Sequence, residues 1–181
     1  MGRIQIHGLI WAFLFVYLFT ANYLYVQLFV KNGKPVDTNV SLPRETKGIT
    51  YKLAHLEPVF VDGKYMYSLK GYAFLSTNPL QENKISIVLR LIGQSRAVEQ
   101  NFVFSTQTVP FPNMIESFPG YKKGMRNAEF RMLVTKEGLK SGTYQIGILL
   151  EEQGEANRFY INTGAIIKKT PNTFQYKPAP Q

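Results

Sequence analysis

Residues 85–91 read Ile-Ser-Ile-Val-Leu-Arg-Leu, and their alternation sets the class of fold. Successive side chains on a strand point to opposite faces. Ile85, Ile87, Leu89 and Leu91 therefore share one face, with Ser86 and Arg90 on the other. The same period returns in Ala128, Phe130, Met132 and Val134, and again in Tyr144, Ile146, Ile148 and Leu150. Upstream, Tyr51, Leu53 and Leu56 open a first strand that ends near Val59 or Phe60, and Asp62-Gly63 is a hairpin turn. Tyr65, Tyr67, Leu69, Tyr72 and Phe74 form a long second strand, with Gly71 placed for a bulge. Asn101–Thr108 is the fourth strand and Phe159–Ile167 the seventh. Turn and loop signals separate them: Asn78-Pro79, the proline-rich connection Val109–Gly124, the tight loop Lys136–Gly142, and Gly154. About seven short strands rich in β-branched and aromatic residues, with no amphipathic run of helical length, predict an all-β antiparallel sandwich over residues 49–169. Each sheet is expected to bury one face and wet the other. Residues 170–181 carry Pro171, Pro178 and Pro180 and read as a flexible tail.

The N-terminus follows a different rule. From Ile4 to Val30 there is no Asp, Glu, Lys or Arg. Gly8–Val30 (GLIWAFLFVYLFTANYLYVQLFV) is long enough to cross a bilayer core about 30 Å thick as one tilted helix. Trp11, Tyr23 and Tyr25 lie towards its two ends, where aromatic rings favour the headgroup region. The apolar run passes Ala21 into Tyr23, Leu24, Tyr25 and Val26 without a small-x-small cleavage site, which favours an uncleaved anchor over a signal peptide or a buried soluble helix. A lipoprotein is excluded, since the chain has no cysteine. Residues 1–30 thus read as a tail plus a single-pass transmembrane anchor in contact with membrane lipids. Lys31, Lys34, Arg44 and Lys47 follow the anchor against Arg3 before it, and that count favours a cytoplasmic C-terminal part. A single N-terminal span ahead of one large domain favours export instead, and long domains translocate largely regardless of charge. The expectation adopted is an extracytoplasmic C-terminal domain.

Residues 31–48 (KNGKPVDTNVSLPRETKG) have no apolar period and read as a linker that does not order itself, although it can lie against the domain. Asn39-Val40-Ser41 has the form of a glycosylation sequon, meaningful only in a eukaryotic secretory pathway. The chain holds 21 basic and 12 acidic residues; without Arg3, residues 31–181 hold 20 and 12, a net of +8. Such a surface attracts anionic partners. Without cysteine the domain has neither disulfides nor a thiolate metal site, and its core must hold it together.

Several segments carry a resemblance. Gly71-Tyr72-Ala73-Phe74, Ile85–Leu91, Phe102-Val103-Phe104, the run Leu139-Lys140-Ser141-Gly142-Thr143-Tyr144-Gln145-Ile146-Gly147-Ile148, and Tyr160–Ile167 follow one another as strands of a small β-sandwich. Over Gly71–Lys169 the chain resembles the immunoglobulin-like modules that accompany bacterial cell-surface glycopolymer polymerases of the teichoic-acid type and membrane mannosyltransferases. The resemblance implies an immunoglobulin-like fold and a role in cell-envelope glycopolymer assembly. It transfers no catalytic residue, because catalysis in those proteins lies outside this module, and no attached transferase domain is expected here.

Catalytic signatures are sparse. The two histidines, His7 and His55, are too few for a multi-histidine metal site, and no phosphate-binding glycine loop or nucleophile elbow occurs. Glu151, Glu152 and Glu155 are an acidic cluster able to hold a cation through oxygen ligands, and equally a solvated hairpin tip. The expectation is a non-enzyme with no cofactor, no metal and no nucleic-acid partner. The strongest candidate surface is Phe118, Tyr121, Lys122, Lys123 and Arg126, aromatics beside cations on a glycine-flanked loop that can stack a sugar ring while the cations meet phosphate or carboxylate. The function expected is an accessory or binding protein that contacts a partner membrane protein or an anionic envelope polymer. The alternatives are a structural subunit of a large membrane complex and an unrecognised envelope-glycan enzyme.

Overall fold

The computed structural model describes residues 15–17, 20, 33–38, 40–61, 63–80, 82–93, 100–107, 128–152 and 157–180. The chain divides into two units, Met1–Lys31 and Asn32–Gln181. In the first, Phe15–Tyr17 and Thr20 are helical, and the Thr20 hydroxyl donates to the Val16 carbonyl at 2.7 Å. No helix of the described residues is long and apolar enough to cross a membrane. The rest of Gly8–Val30 lies outside the described residues.

The second unit is all-β and antiparallel in its ladders. Its strands are β1 (Asp37–Thr38), β2 (Ile49–Val61), β3 (Lys64–Leu75), β4 (Asn83–Ile92), β5 (Asn101–Ser105), β6 (Glu129–Thr135), β7 (Gly142–Glu152), β8 (Arg158–Lys169) and β9 (Phe174–Lys177). They form a six-stranded sheet in the order β1-β5-β4-β7-β8-β9 and a three-stranded sheet in the order β2-β3-β6. Alternation does the work expected of it on the inner faces. Ile85, Ile87 and Leu89 of β4 and Tyr144, Ile146, Ile148 and Leu150 of β7 meet Leu69 of β3 and Phe130, Met132 and Val134 of β6 in one shared core. Burying a side chain of this kind contributes about 1.5–3 kcal/mol.

Two details of local structure fix how the strands run, and the first differs from expectation. Gly71 does not bulge; it pairs in register with Leu53 and Phe130, and the irregularity sits in the facing strand, between Leu53 and Leu56. A Cβ on Gly71 would lie 2.4 Å from the Lys52 carbonyl oxygen and 2.8 Å from the Phe130 ring, so the position is small because a ring and a backbone close over it. At the β6–β7 corner, the Tyr144 hydroxyl turns back to donate to the Lys140 carbonyl at 2.7 Å, which fixes the entry to β7.

The two flanking segments correct the sequence reading. Residues 170–181, expected to be flexible, contain β9: Phe174 and Lys177 pair with Lys169 and Ile166 of β8, Phe174 is buried, and its ring lies 4.6 Å from that of Tyr67. The alternation Phe174-Gln175-Tyr176 supplies the strand, and the flanking prolines sit outside it. Residues 31–48, expected to be a linker that does not order itself although it can lie against the domain, form a strap on the domain where they are described. Gly33 is buried and its carbonyl accepts from the Thr135 hydroxyl at 3.0 Å. The Val36 amide donates to the Val103 carbonyl at 2.7 Å, β1 then pairs with β5, and Glu45 bridges to Tyr160 while the Thr46 amide donates to the Tyr160 carbonyl at 2.7 Å. Between those anchor points, Val40 and Leu42 pack on Val88, Val103, Leu149 and Tyr160, residues of β4, β5, β7 and β8 that point away from the shared core. The outer face of the larger sheet is therefore covered at its centre rather than wet.

Candidate binding surface

The loop singled out from the sequence, with Phe118, Tyr121, Lys122, Lys123 and Arg126, lies outside the described residues. What the described residues do assemble is a cavity of about 410 Å³ beside the strap, lined by Val40, Ser41, Leu42, Pro43, Glu45, Arg90, Asn101, Tyr160 and Asn162. Its size falls in the range of small-molecule sites, about 300–1,000 Å³.

The strand registers explain how these side chains meet. Arg90 of β4 pairs with Asn101 of β5, and alternation sends both to the outer face, opposite Leu89 and Phe102 of the inner side. Asn162 of β8 pairs with Gly147 of β7 on the same face. A Cβ on Gly147 would lie 2.4 Å from the Tyr160 ring, so the missing side chain is what lets that ring lie flat across the sheet beneath the strap. The strap contributes the opposite wall. Glu45 is held in place twice, by its backbone bridge to Tyr160 and by the Asn162 backbone N–H donating to its Oε1 at 3.0 Å.

The lining is chemically mixed. Leu42, Pro43 and Val40 give apolar surface, while Arg90 brings a cation, Asn101 and Asn162 bring amides, and Glu45 brings a carboxylate. Asn101 is only 6% exposed, and its Nδ2 donates to the Val40 carbonyl at 3.1 Å. Its Oδ1 is buried and accepts no hydrogen bond within the described residues. Leaving such an acceptor unmatched costs about 1–3 kcal/mol, and a donor from solvent or ligand in an adjoining polar cavity removes that cost.

Other sequence candidates resolve differently. Glu151 meets Lys84 at 2.9 Å and Arg158 at 3.2 Å, and Glu152 accepts from Asn157 Nδ2 at 2.9 Å, so these two carboxylates serve the β7–β8 hairpin. Glu155 lies outside the described residues, among which no group of three or more His, Asp or Glu is placed to hold a metal ion. His55 is exposed, with its ring edge-on to Tyr176 at 6.3 Å. Behind the strap's end, the Tyr51 hydroxyl donates to the Thr163 carbonyl at 3.2 Å. Burial, and then the nearby Glu45 carboxylate, push the Tyr51 phenol above its ordinary pKa. Burial and then Tyr51 do the same to Tyr176.

The cavity was not legible in the sequence, because it joins residues from four separate segments. The one signal is the apolar character of Val88, Val103 and Leu149 at positions that alternation assigns to a wet face, which implies a cover. Compared with known proteins, the chain matches no family model, no curated protein and no solved structure.

Proposed function

We propose that this chain is a membrane-anchored, non-catalytic binding or accessory protein that presents an immunoglobulin-like sandwich on the extracytoplasmic side of a membrane and engages an anionic envelope polymer there. The observation that carries the reading is the strapped cavity, in which a cation, a carboxylate, two amides and an apolar wall converge on the outer face of an otherwise apolar-cored domain. A hydroxyl-rich chain bearing phosphate or carboxylate offers the complementary groups: charge for Arg90, hydroxyls for Asn101, Asn162 and Glu45. Two observations support the finer fold. If β2, β3, β4, β5, β6, β7 and β8 are lettered A, B, C, C′, E, F and G, the sheets run A-B-E and C′-C-F-G, the immunoglobulin type of arrangement. The Tyr144 hydroxyl bonded back to Lys140 matches the tyrosine corner of that fold. The uncharged Gly8–Val30 stretch supports the anchor.

The test is a titration of the full chain, in detergent micelles, with an oligomer of poly(glycerol phosphate). Arg90→Gln is expected to weaken binding roughly tenfold or more, since hydrogen bonds to charged groups contribute about 1.5–3 kcal/mol. Replacing Lys122, Lys123 and Arg126 together by Ser reads the second surface, the aromatic-and-cation loop. Equal weakening when the exposed Lys47, Lys52 and Lys177 are replaced instead would assign the attraction to net charge alone. No binding by the parent chain, together with a stoichiometric partner co-purified in mild detergent, would favour the structural-subunit reading.

A further inference from the structure

We infer that one end of the two-sheet unit is a lipid-facing surface that rests on anionic headgroups, an inference that rests on the anchored reading above. The residues that define it are Phe60, Tyr65, Ile92, Lys64, Lys136 and Lys140. The strand registers bring them to one end. Thr135 closes β6 opposite Met66, Met66 pairs with Val59, and Lys64 pairs with Val61, so the β2–β3 hairpin tip lies beside the end of β6. The short turn Lys136–Gly138 then leads from β6 to the start of β7, where Thr143 pairs with Ile92 at the end of β4.

This end has the chemistry of a membrane interface. Of the five large apolar side chains described as exposed in this unit, three are here: Phe60 at 64%, Tyr65 at 71% and Ile92 at 42%. The Phe60 and Tyr65 rings sit 4.9 Å apart at the hairpin tip. Lys64 and Lys140 are exposed and Lys136 is half-buried. Exposed Lys34 and Lys168, the latter paired with Thr143, belong to the same end. Among the described residues the acid in this end is Glu137, which is exposed; the sequence adds Asp62 in the hairpin turn and Glu99, with Arg96, in the connection from β4 to β5. Aromatic rings favour the headgroup layer, and lysines near an anionic leaflet are attracted within a Debye length, about 10 Å at 0.1 M salt. At the opposite end, among the described residues, Leu80 is exposed, and Lys84 and Arg158 both pair with Glu151.

Charge picks the occupant. Among the described residues of this end, Lys34, Lys64, Lys140 and Lys168 are exposed against one exposed acid, Glu137, and such a cationic surface set with exposed rings fits an anionic headgroup layer. Gly33 docks on this same end: its carbonyl accepts from Thr135, and a Cβ on Gly138 would lie 2.5 Å from that carbonyl oxygen.

The chain has no cysteine, so single-cysteine variants carry a unique label. Tyr65→Cys, Lys140→Cys and, at the opposite end, Thr77→Cys, all at exposed positions, would be labelled with a small fluorophore in the full chain. The labelled chain would be reconstituted in vesicles of phosphatidylglycerol and phosphatidylcholine bearing a shallow lipid-borne quencher. Circular dichroism of each variant confirms that the fold is retained. The expected result is loss of most emission at positions 65 and 140 and none at 77. Carrying Lys64→Ser, Lys136→Ser and Lys140→Ser together should restore most of the emission at 65. If the chain floats with the vesicles but 65 is quenched no more than 77, the surface is wrong and the anchor stands. If the chain does not float, the anchored reading fails and the inference with it. Equal quenching in pure phosphatidylcholine overturns the anionic headgroup as partner. Crosslinking of position 65 to a second protein in native membranes, with no quenching, replaces lipid by a protein partner and overturns the inference.

Discussion

Phe130→Ala is expected to lower the stability of the domain by about 3–5 kcal/mol, the cost of emptying a fully buried aromatic site. Phe130 is 0% exposed on β6 and belongs to the core shared by both sheets. Its ring lies over Gly71 of β3, which has no side chain to fall into the space. Collapse around the missing ring is therefore limited, and the loss belongs at the upper part of that range. In a thermal melt of the full chain followed by near-ultraviolet circular dichroism, this is a fall of roughly 6–20 °C, at about 2–4 °C per kcal/mol for a domain of this size. Gly71→Ala should also destabilise, by about 1–3 kcal/mol as an overpacked site. Removing the Phe130 ring should not rescue it, because the second contact is the Lys52 carbonyl of the facing backbone. A loss under about 1 kcal/mol for Phe130→Ala would mean that the ring is not held between two sheets.

Leu89→Ala should cost about 2–5 kcal/mol. Leu89 is 0% exposed, in the interior strand β4, paired with Phe102 on one side and Ile146 on the other. The informative comparison is its neighbour. On a sheet with one wet face, Val88→Ala would change little. Here Val88 is also 0% exposed, under Val40 and Leu42 of the strap. Removing two of its carbons should cost about 1.6 kcal/mol at about 0.8 kcal/mol each, before any cavity term. Replacing Val40 and Leu42 by Ser should then make Val88→Ala nearly silent, since the cover that buries it is gone. Full sensitivity of Val88 in that background would mean the strap does not cover β4.

Strands β2 to β8 were readable because each has a face buried in one shared core. Ile85, Ile87 and Leu89, or Ile146, Ile148 and Leu150, announce themselves by alternation alone. The strap was not readable by the same route. Its contacts are two apolar residues in a run of polar ones, together with backbone bonds at Val36 and Thr46, and neither leaves a period in the sequence. The strap is legible only from the other side, in the apolar residues of the outer face that it covers. Strand β9 was hidden by Pro171 and Pro178, which bracket Phe174–Lys177 without interrupting it. The aromatic-and-cation loop was legible as a composition, Phe118 to Arg126, and the described residues do not include it. The cavity was illegible for a combinatorial reason: Ser41, Arg90, Asn101 and Asn162 are brought together only by strand order and register.

Attachment of this domain to a membrane through Gly8–Val30 is the claim on which the rest depends, and flotation of the full chain tests it directly. Membranes from expressing cells would be washed in about 1 M salt, where the Debye length is about 3 Å and purely electrostatic association is lost. They would then be floated on a density gradient beside a variant carrying Leu14→Asp and Leu18→Asp. An aspartate near the centre of a span opposes insertion by about 2.5–3.5 kcal/mol. The account predicts that the parent chain rises with the lipid after the wash and that the double variant stays at the bottom with its β-sheet circular dichroism intact. A parent chain left at the bottom, folded and free of lipid, would contradict it.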